Sequence, residues 1–398
     1  MRSWWSNYTA ILIATTLAII GFGFSHPILP LFLEEDIGIK DPVKLKTWVG
    51  LIHSSAGITM ALFAPIWGHL SDLYSRRLML LRAMFGSAIV TSLMAFASSP
   101  WQLLILRTIF GCFTGTIAAS TVLVASISPA AQIALTLGLL QTGIAVGNSL
   151  GPMLGGIISD IFGYRSAFIS TGILMCLAGL IVLLWVRDDF KPSEEKKSKK
   201  FSLIPDFGVI SGSPVLIKMM IVTFGVQAAI AVAIPMIPLY LKDLAMRAGE
   251  EILLIGSSTG LVLGAGAASA ALAAVLVGKF SSRIGFHRSL LFCLALGAVL
   301  SIPQIFAVNI FQLTLYRSLS SFFIGGSMPL INAILAVSSD KQTHGTIYGV
   351  NTSVAAAGAA LGPMIGSLAA LLDLRAIFWA SALILGISAF VIRKRSEA

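Results

Sequence analysis

The chain has 398 residues, of which 57% are hydrophobic and only 11% charged, and its mean hydropathy is +0.92. Soluble globular proteins carry roughly 25% charged residues, so composition excludes a soluble enzyme, and equally a disordered or fibrous chain. The net charge of +10 is not gathered into a basic domain of the kind that binds nucleic acid; the positives flank apolar segments, which is the pattern of membrane orientation.

The composition fits an all-α polytopic membrane protein, since each span needs about 20 apolar residues. Apolar stretches predict helices near 8–33, 47–70, 78–98, 101–125, 134–160, 165–186, 215–241, 252–278, 289–308, 310–337, 343–372 and 376–392. The first is too long for a signal-peptide core and lacks a small-residue cleavage site, so it reads as retained. The polar stretch 187–214, with Lys196-Lys197-Ser198-Lys199-Lys200, cannot sit in hydrocarbon. It divides the chain into six-helix bundles at 1–186 and 215–398. With both termini cytoplasmic, the inner loops and tails hold 18 of the 27 Lys and Arg residues and the outer loops hold seven, as the positive-inside rule favours. Arg107 and Arg317 fall inside predicted spans.

The halves repeat one another. Pro27-Ile28-Leu29-Pro30-Leu31-Phe32-Leu33 recurs as Pro235-Met236-Ile237-Pro238-Leu239-Tyr240-Leu241. Gly68, Gln102, Arg107 and Arg165 recur as Gly278, Gln312, Arg317 and Arg375, and Gly151-Pro152-Met153 as Gly362-Pro363-Met364. The order and near-constant offset predict a duplicated six-helix unit. Such repeats are one transporter architecture, with the substrate site near the midplane between them.

Three constellations carry chemistry. After helix 2 comes Gly68-His69-Leu70-Ser71-Asp72-Leu73-Tyr74-Ser75-Arg76-Arg77. An Asp at a helix end can pair with an Arg or cap a neighbouring helix, locking two helices in one state; a solvated anchoring loop is the plainer reading. In helix 4, Arg107, Gly111 and Gly115 are spaced to share one face. An arginine this deep is a functional candidate by default, unless it snorkels to the outer surface. In helix 5, Gly147, Gly151 and Gly155 form a groove at i+4 spacing beside Pro152; small residues let backbones touch and proline bends the helix. Ordinary close packing would use the same residues.

On these residues the sequence resembles the major facilitator superfamily. Gly68, Leu70, Asp72, Arg76 and Arg77 match its motif A, with Leu73 and Ser75 departing from it. Arg107, Gly111 and Gly115 match motif B, with Phe110 where Gln is common. Gly138, Gly147, Gly151-Pro152 and Gly155-Gly156 match motif C, which in that superfamily is associated with exporters. The chain is similar to its twelve-helix drug:proton antiporters of the bacterial multidrug-efflux type. The resemblance implies a secondary transporter in which two bundles rock around a central cavity and proton influx drives export. It implies a gating role for Gly68, Asp72, Arg76 and Arg77, a part for Arg107 in proton coupling, and packing of Gly147, Gly151, Pro152 and Gly155 against the other half to limit leak.

None of the 17 acidic residues falls in the middle of a predicted span. A buried cation needs a counter-charge, so neutral, lipophilic or anionic substrates fit better than strictly cationic ones. The proton carrier is open among Arg107, Asp36, His26 and His53, although a membrane histidine is more often a packing residue. Polar candidates for the cavity are Gln141, Asn148, Gln227, Asn332, Asn351 and Arg317; the alternative role of the five amides is to link helices. Cys112, Cys176 and Cys293 lie in apolar segments without metal-ligand spacing and read as packing residues.

The expectation is a proton-coupled exporter of amphipathic small molecules. The alternatives are a lipid or glycolipid flippase and a sugar or organic-acid facilitator on the same fold. No catalytic or nucleotide-binding motif is present, so we expect neither an enzyme nor a cofactor, metal or nucleic-acid partner, with the proton gradient as energy source. Short loops and the lack of an organelle signal predict a bacterial inner membrane; a monomer among its lipids is expected.

Overall fold

The computed structural model describes residues 4–187, 213–249, 254–339 and 344–393, apart from the side chains at 65, 68, 69, 71–73, 130, 134, 278, 280, 282 and 344–346. Among the described residues there are twelve helices long and apolar enough to cross a membrane. They are α1 (Trp4–Asp36), α2 (Pro42–Leu73), α3 (Arg76–Met94), α4 (Pro100–Ile127), α5 (Ile133–Phe162) and α6 (Tyr164–Trp185). The second half comprises α7 (Pro214–Ala248), α8 (Ile255–Ile284), α9 (Phe286–Phe306), α10 (Ile310–Val337), α11 (His344–Leu372) and α12 (Ala376–Arg393). Most of the predicted linker, 188–212, lies outside the described residues.

The repeat is visible in how helices begin. Ser99 caps α4 by accepting from the Gln102 amide, and Asn309 caps α10 by accepting from the Gln312 amide. Each glutamine reaches back to a backbone N–H just before its cap, Ser98 or Val308. These side chains satisfy donors that a helix start leaves unpaired, which explains why Gln102 and Gln312 recur.

Four of the spans depart from a regular α-helix, α7 through a 3-10 turn at Ile234–Met236 and α9 through a 3-10 end at Ile302–Phe306; the departures in α1 and α4 bear on the site. Helix α1 is interrupted after Ser25, resumes at Leu29–Leu31 and ends in a π-helical turn at Phe32–Asp36, three residues past the predicted end. Pro27 and Pro30 have no N–H to continue the ladder. Helix α4 breaks at Thr114, and Gly115 takes a φ of +126°. Gly115 therefore starts a new helical segment and does not continue one face with Arg107 and Gly111. A φ in that region favours glycine.

The end of each half where α1 and α7 begin is here called the terminus side, and the opposite end the far side. On the far side a single apolar core runs across both halves, from Leu29, Phe32 and Val49 to Val232, Met236 and Tyr240. On the terminus side there are two separate cores. One holds Tyr8, Ile11, Leu80, Met84 and Val182, the other Leu216, Met219, Leu294, Leu335 and Ile347. Among the described residues, the apolar core is thus shared by both halves at the far side and divided between them at the terminus side.

Candidate functional site

Two helix pairs make most of the contact between the halves among the described residues. In α5, Gly156 faces the Gly256 carbonyl of α8, and the Pro152 carbonyl meets Gly260. In α2, Gly50 faces Ser367 and Pro363 of α11, and Gly57 faces Ala360. Ser367 Oγ donates to the Lys46 carbonyl, and Lys46 Nζ donates to the Ala370 carbonyl at 2.8 Å. Asp160 of α5 supplies the missing cap of α8, accepting from the backbone N–H groups of Gly256 at 2.9 Å and Ser257 at 2.7 Å. The carboxylate also suits the positive end of the helix dipole. At the rim, Lys242 of α7 pairs with Glu34 and Glu35 of α1 at 2.8 and 2.7 Å.

The motif C glycines differ from expectation. Gly147, Gly151 and Gly155 pack on Ile19, Ile20, Gly23 and Phe24 of α1, in their own half. Gly156, one residue and about 100° further round the helix, is the one that faces the other half. The same arrangement recurs as Gly358, Gly362 and Gly366 on α7. These rows hold each half together, while their neighbours make the joint between halves.

Beneath the far-side core lies a cavity of about 470 Å³ between the halves. Its walls come from α1, α5, α7, α8 and α10, and Phe22, His26, Asn148, Pro152, Arg317 and Ser321 line it. Asn148 and Arg317 are thus in the cavity, as expected of candidates for binding. Four others are not on its wall. Asn351 is buried and accepts from Thr223 Oγ1 at 2.7 Å, linking α11 to α7. The Asn332 backbone carbonyl accepts from Tyr348 Oη, Gln227 packs by Gly358, and Gln141 is exposed. No carboxylate lines the cavity or pairs with Arg317 among the described residues.

Three of the four proton-coupling candidates come together at the cavity's edge. His53 of α2 is 5% exposed. Its Nδ1 lies 2.9 Å from the Val49 carbonyl and its Nε2 lies 3.1 Å from the His26 carbonyl. The two histidine rings meet edge-on at 4.8 Å. Arg107, 3% exposed, lies within electrostatic reach of both, and its Nε and Nη2 have no hydrogen-bond partner among the described residues. Asp36 is elsewhere. It accepts from Arg165 at 3.0 Å at the far-side surface, because α1 carries it past the apolar core that seals the cavity.

Arg76 and Arg77 begin α3, and Arg77 donates to the Leu183 carbonyl at 2.6 Å. The Gly68 and Asp72 side chains lie outside the described residues. One nearby interaction is not legible in the sequence: the Arg82 guanidinium lies 3.5 Å over the Trp67 ring. Trp67 Nε1 in turn donates to the Cys112 carbonyl at 2.7 Å, beside the α4 break. Both residues read simply as a positive anchor and an apolar residue until the break in α4 brings them together.

The model of the Major Facilitator Superfamily matches residues 11–303 and 248–398. Multidrug resistance protein MdtG of Proteus mirabilis (strain HI4320) is 31% identical over 382 residues, covering 96% of this chain and 93% of that protein. The MdtG of Enterobacter lignolyticus (strain SCF1) is 31% identical over 383 residues, covering 96% and 90%. Among solved structures, a bacterial homologue of the human lysosomal transporter Spinster in an inward-facing, unoccupied conformation superposes with a TM-score of 0.78. It is 16% identical, over 98% of this chain and 97% of that one, so the likeness is one of fold. Twelve apolar helices in two repeated halves, a central cavity and these sequence matches agree: the chain is an integral membrane transporter, not an enzyme, and belongs to the major facilitator superfamily.

Proposed function

We propose that this protein exports amphipathic small molecules from the cytoplasm by alternating access, using proton entry as the drive. The observation that carries the reading is the asymmetry of packing around a central cavity: one core shared by both halves on the far side, two separate cores on the terminus side. The positive-inside rule puts the terminus side in the cytoplasm, so the shape is inward-facing and ready to load from inside. The multidrug resistance relatives support the direction.

The cavity wall supports a substrate class. Most of its lining is apolar, and it holds Arg317 with no acidic residue. A buried cation with no carboxylate partner among the described residues favours a ligand that brings the negative charge. Amphipathic neutral compounds and, above all, anions with one charged group suit this wall. In the opposite state, the two halves would part at the α5–α8 and α2–α11 joints. Gly68, Asp72, Arg76 and Arg77 would then hold the cytoplasmic side closed. Asp72→Asn should slow transport in a folded protein; a wild-type rate would remove that gating role.

The test uses proteoliposomes with an imposed pH gradient. Two probes share one skeleton: N-phenyl-1-naphthylamine is neutral, and 8-anilinonaphthalene-1-sulfonate adds a single negative charge. The expected result is substrate-triggered collapse of the gradient, with tighter binding of the sulfonate. Uptake of both probes with no proton movement would instead mark a facilitator.

A further inference from the structure

Two features of α1 and α2 interlock. In a regular helix the His26 carbonyl would accept from the backbone of residue 30, but Pro30 has no N–H. That carbonyl is taken instead by His53 Nε2, at 3.1 Å. The other ring nitrogen, Nδ1, lies 2.9 Å from the Val49 carbonyl. A neutral imidazole has one N–H and one lone pair, whereas imidazolium donates from both nitrogens. A carbonyl can only accept. Neutral His53 therefore leaves one nitrogen set against a carbonyl lone pair, and protonated His53 satisfies both contacts.

We propose that His53 is the proton-binding residue of the transport cycle and that its protonation fastens the break in α1 and keeps the outer gate shut. This inference rests on the export reading above. The break connects the long inner part of α1 to the Leu29–Asp36 segment, whose Leu29, Phe32 and Leu33 sit in the far-side core. The same segment holds Glu34 and Glu35 against Lys242. A proton taken from the outside by the open form adds to the unprotonated ring nitrogen of His53, and the second bond draws the segment in. In the inward-facing form the proton leaves by way of His26, whose ring meets that of His53 and lines the cavity, and passes to cavity water. Loss of the proton loosens the segment, so the loaded protein can open outward. This order is the one an exporter needs: the protonated form closes outside, the deprotonated form opens.

The titratable and charged groups that face His53 are His26 from α1 and Arg107 from α4. Of the other elements packed on α2, the Ile234–Met236 turn brings no charged residue and α11 brings only His344, at its terminus-side start. The Phe32–Asp36 turn brings Glu34, Glu35 and Asp36, engaged by Lys242 and Arg165, and α3 brings Arg76, Arg77 and Arg82 in its first two turns. Arg107 opposes a second positive charge beside it. The two carbonyls hold the proton while Arg107 helps to expel it, and a carrier must do both.

The gate can be read without any substrate. Full-length protein with Cys112, Cys176 and Cys293 changed to Ser, and spin labels at Lys40 and Ala248, is placed in nanodiscs and its label distances are measured between pH 8 and pH 6. We expect the short-distance population to rise at least threefold on acidification, and His53→Gln to abolish the rise. Equal closing in His53→Gln would overturn the proposal. So would opening on acidification, which is the sign expected if the Glu34, Glu35 and Asp36 carboxylates were in control. Should the variant not fold, nitrogen NMR of histidine-labelled wild type gives a second test. One slowly exchanging histidine should carry hydrogen on both nitrogens at pH 6; a buried histidine that stays neutral throughout would overturn the proposal. If gating follows His53 but no probe is exported, the export reading fails and the carrier role of His53 with it, while its hold on the outer gate stands.

Discussion

The two halves share a scaffold and differ in what the scaffold presents. Pro-x-x-Pro spacing interrupts α1 with a turn and α7 with a 3-10 turn, and the same glycine row binds α5 to α1 and α11 to α7. Each half also keeps its arginine, Arg107 or Arg317. Yet where the first half has His26 and His53, the second has Ile234 and Leu263 at the corresponding offsets, both on the cavity wall. The arginines diverge with them. Arg107 sits behind the cavity beside two histidines, while Arg317 lines the cavity directly. Duplication supplied two frames. In our reading the first handles the proton and the second holds the substrate.

The glycine rows are what the halves have in common, so breaking them should have the largest effect. A Cβ at Gly155 would overlap the Phe24 backbone, and one at Gly366 would overlap the Val232 carbonyl. Gly155→Leu and Gly366→Leu should each cost more than about 3 kcal/mol by overpacking, seen as loss of folded protein in a thermal unfolding assay. Gly138→Ala is the control, since nothing lies within 4 Å of the added carbon; it should stay within about 0.5 kcal/mol of wild type. Equal losses at all three sites would refute the packing account.

Arg317 is where the halves separate. Arg317→Ala should weaken sulfonate binding by about 1.5–3 kcal/mol, the range for a hydrogen bond to a charged group, and change binding of the neutral probe less than twofold. Equal loss of both, by fluorescence titration, would mean that Arg317 shapes the cavity and does not read charge. The next effect is smaller. Asp160→Ala removes the cap that α5 gives to α8 and should cost about 1 kcal/mol of far-side closure, seen as faster thiol labelling of a cysteine placed at Ser257. An unchanged labelling rate would show that the cap is not part of the gate. Smallest of all is Lys242→Gln. Its pairs with Glu34 and Glu35 are partly exposed, and such pairs contribute 0–1 kcal/mol and weaken with salt. A tenfold change in transport would mean that the rim pair, not the apolar core, controls closure.

Much of this was legible in the sequence because it follows from hydropathy and repetition. Span number, the repeated half and the deep arginines needed only patterns along the chain. What was not legible depends on which way a helix face turns. Gly155 and Gly156 are neighbours in sequence, yet one faces α1 and the other α8. Asn351 has the same polarity as Asn148 but faces α7. Asp36 is close in sequence to His26 but lies beyond the far-side core, because α1 runs on through a π-helical turn. The pairing of His53 with the carbonyl that Pro30 leaves free needs two helices in register, which no single-chain pattern contains. Lone histidines in two helices thus become one site.

The most direct test of this division of labour compares wild type, His53→Gln and Arg317→Ala in one set of proteoliposomes, measuring pH-driven transport and gradient-free exchange of the two naphthyl probes. The account predicts a split. His53→Gln should lose pH-driven transport of both probes and keep their exchange, and Arg317→Ala should lose the sulfonate in both assays and keep the neutral probe. If both variants lost the same activities for the same probe, the halves would share one task and the account would be contradicted.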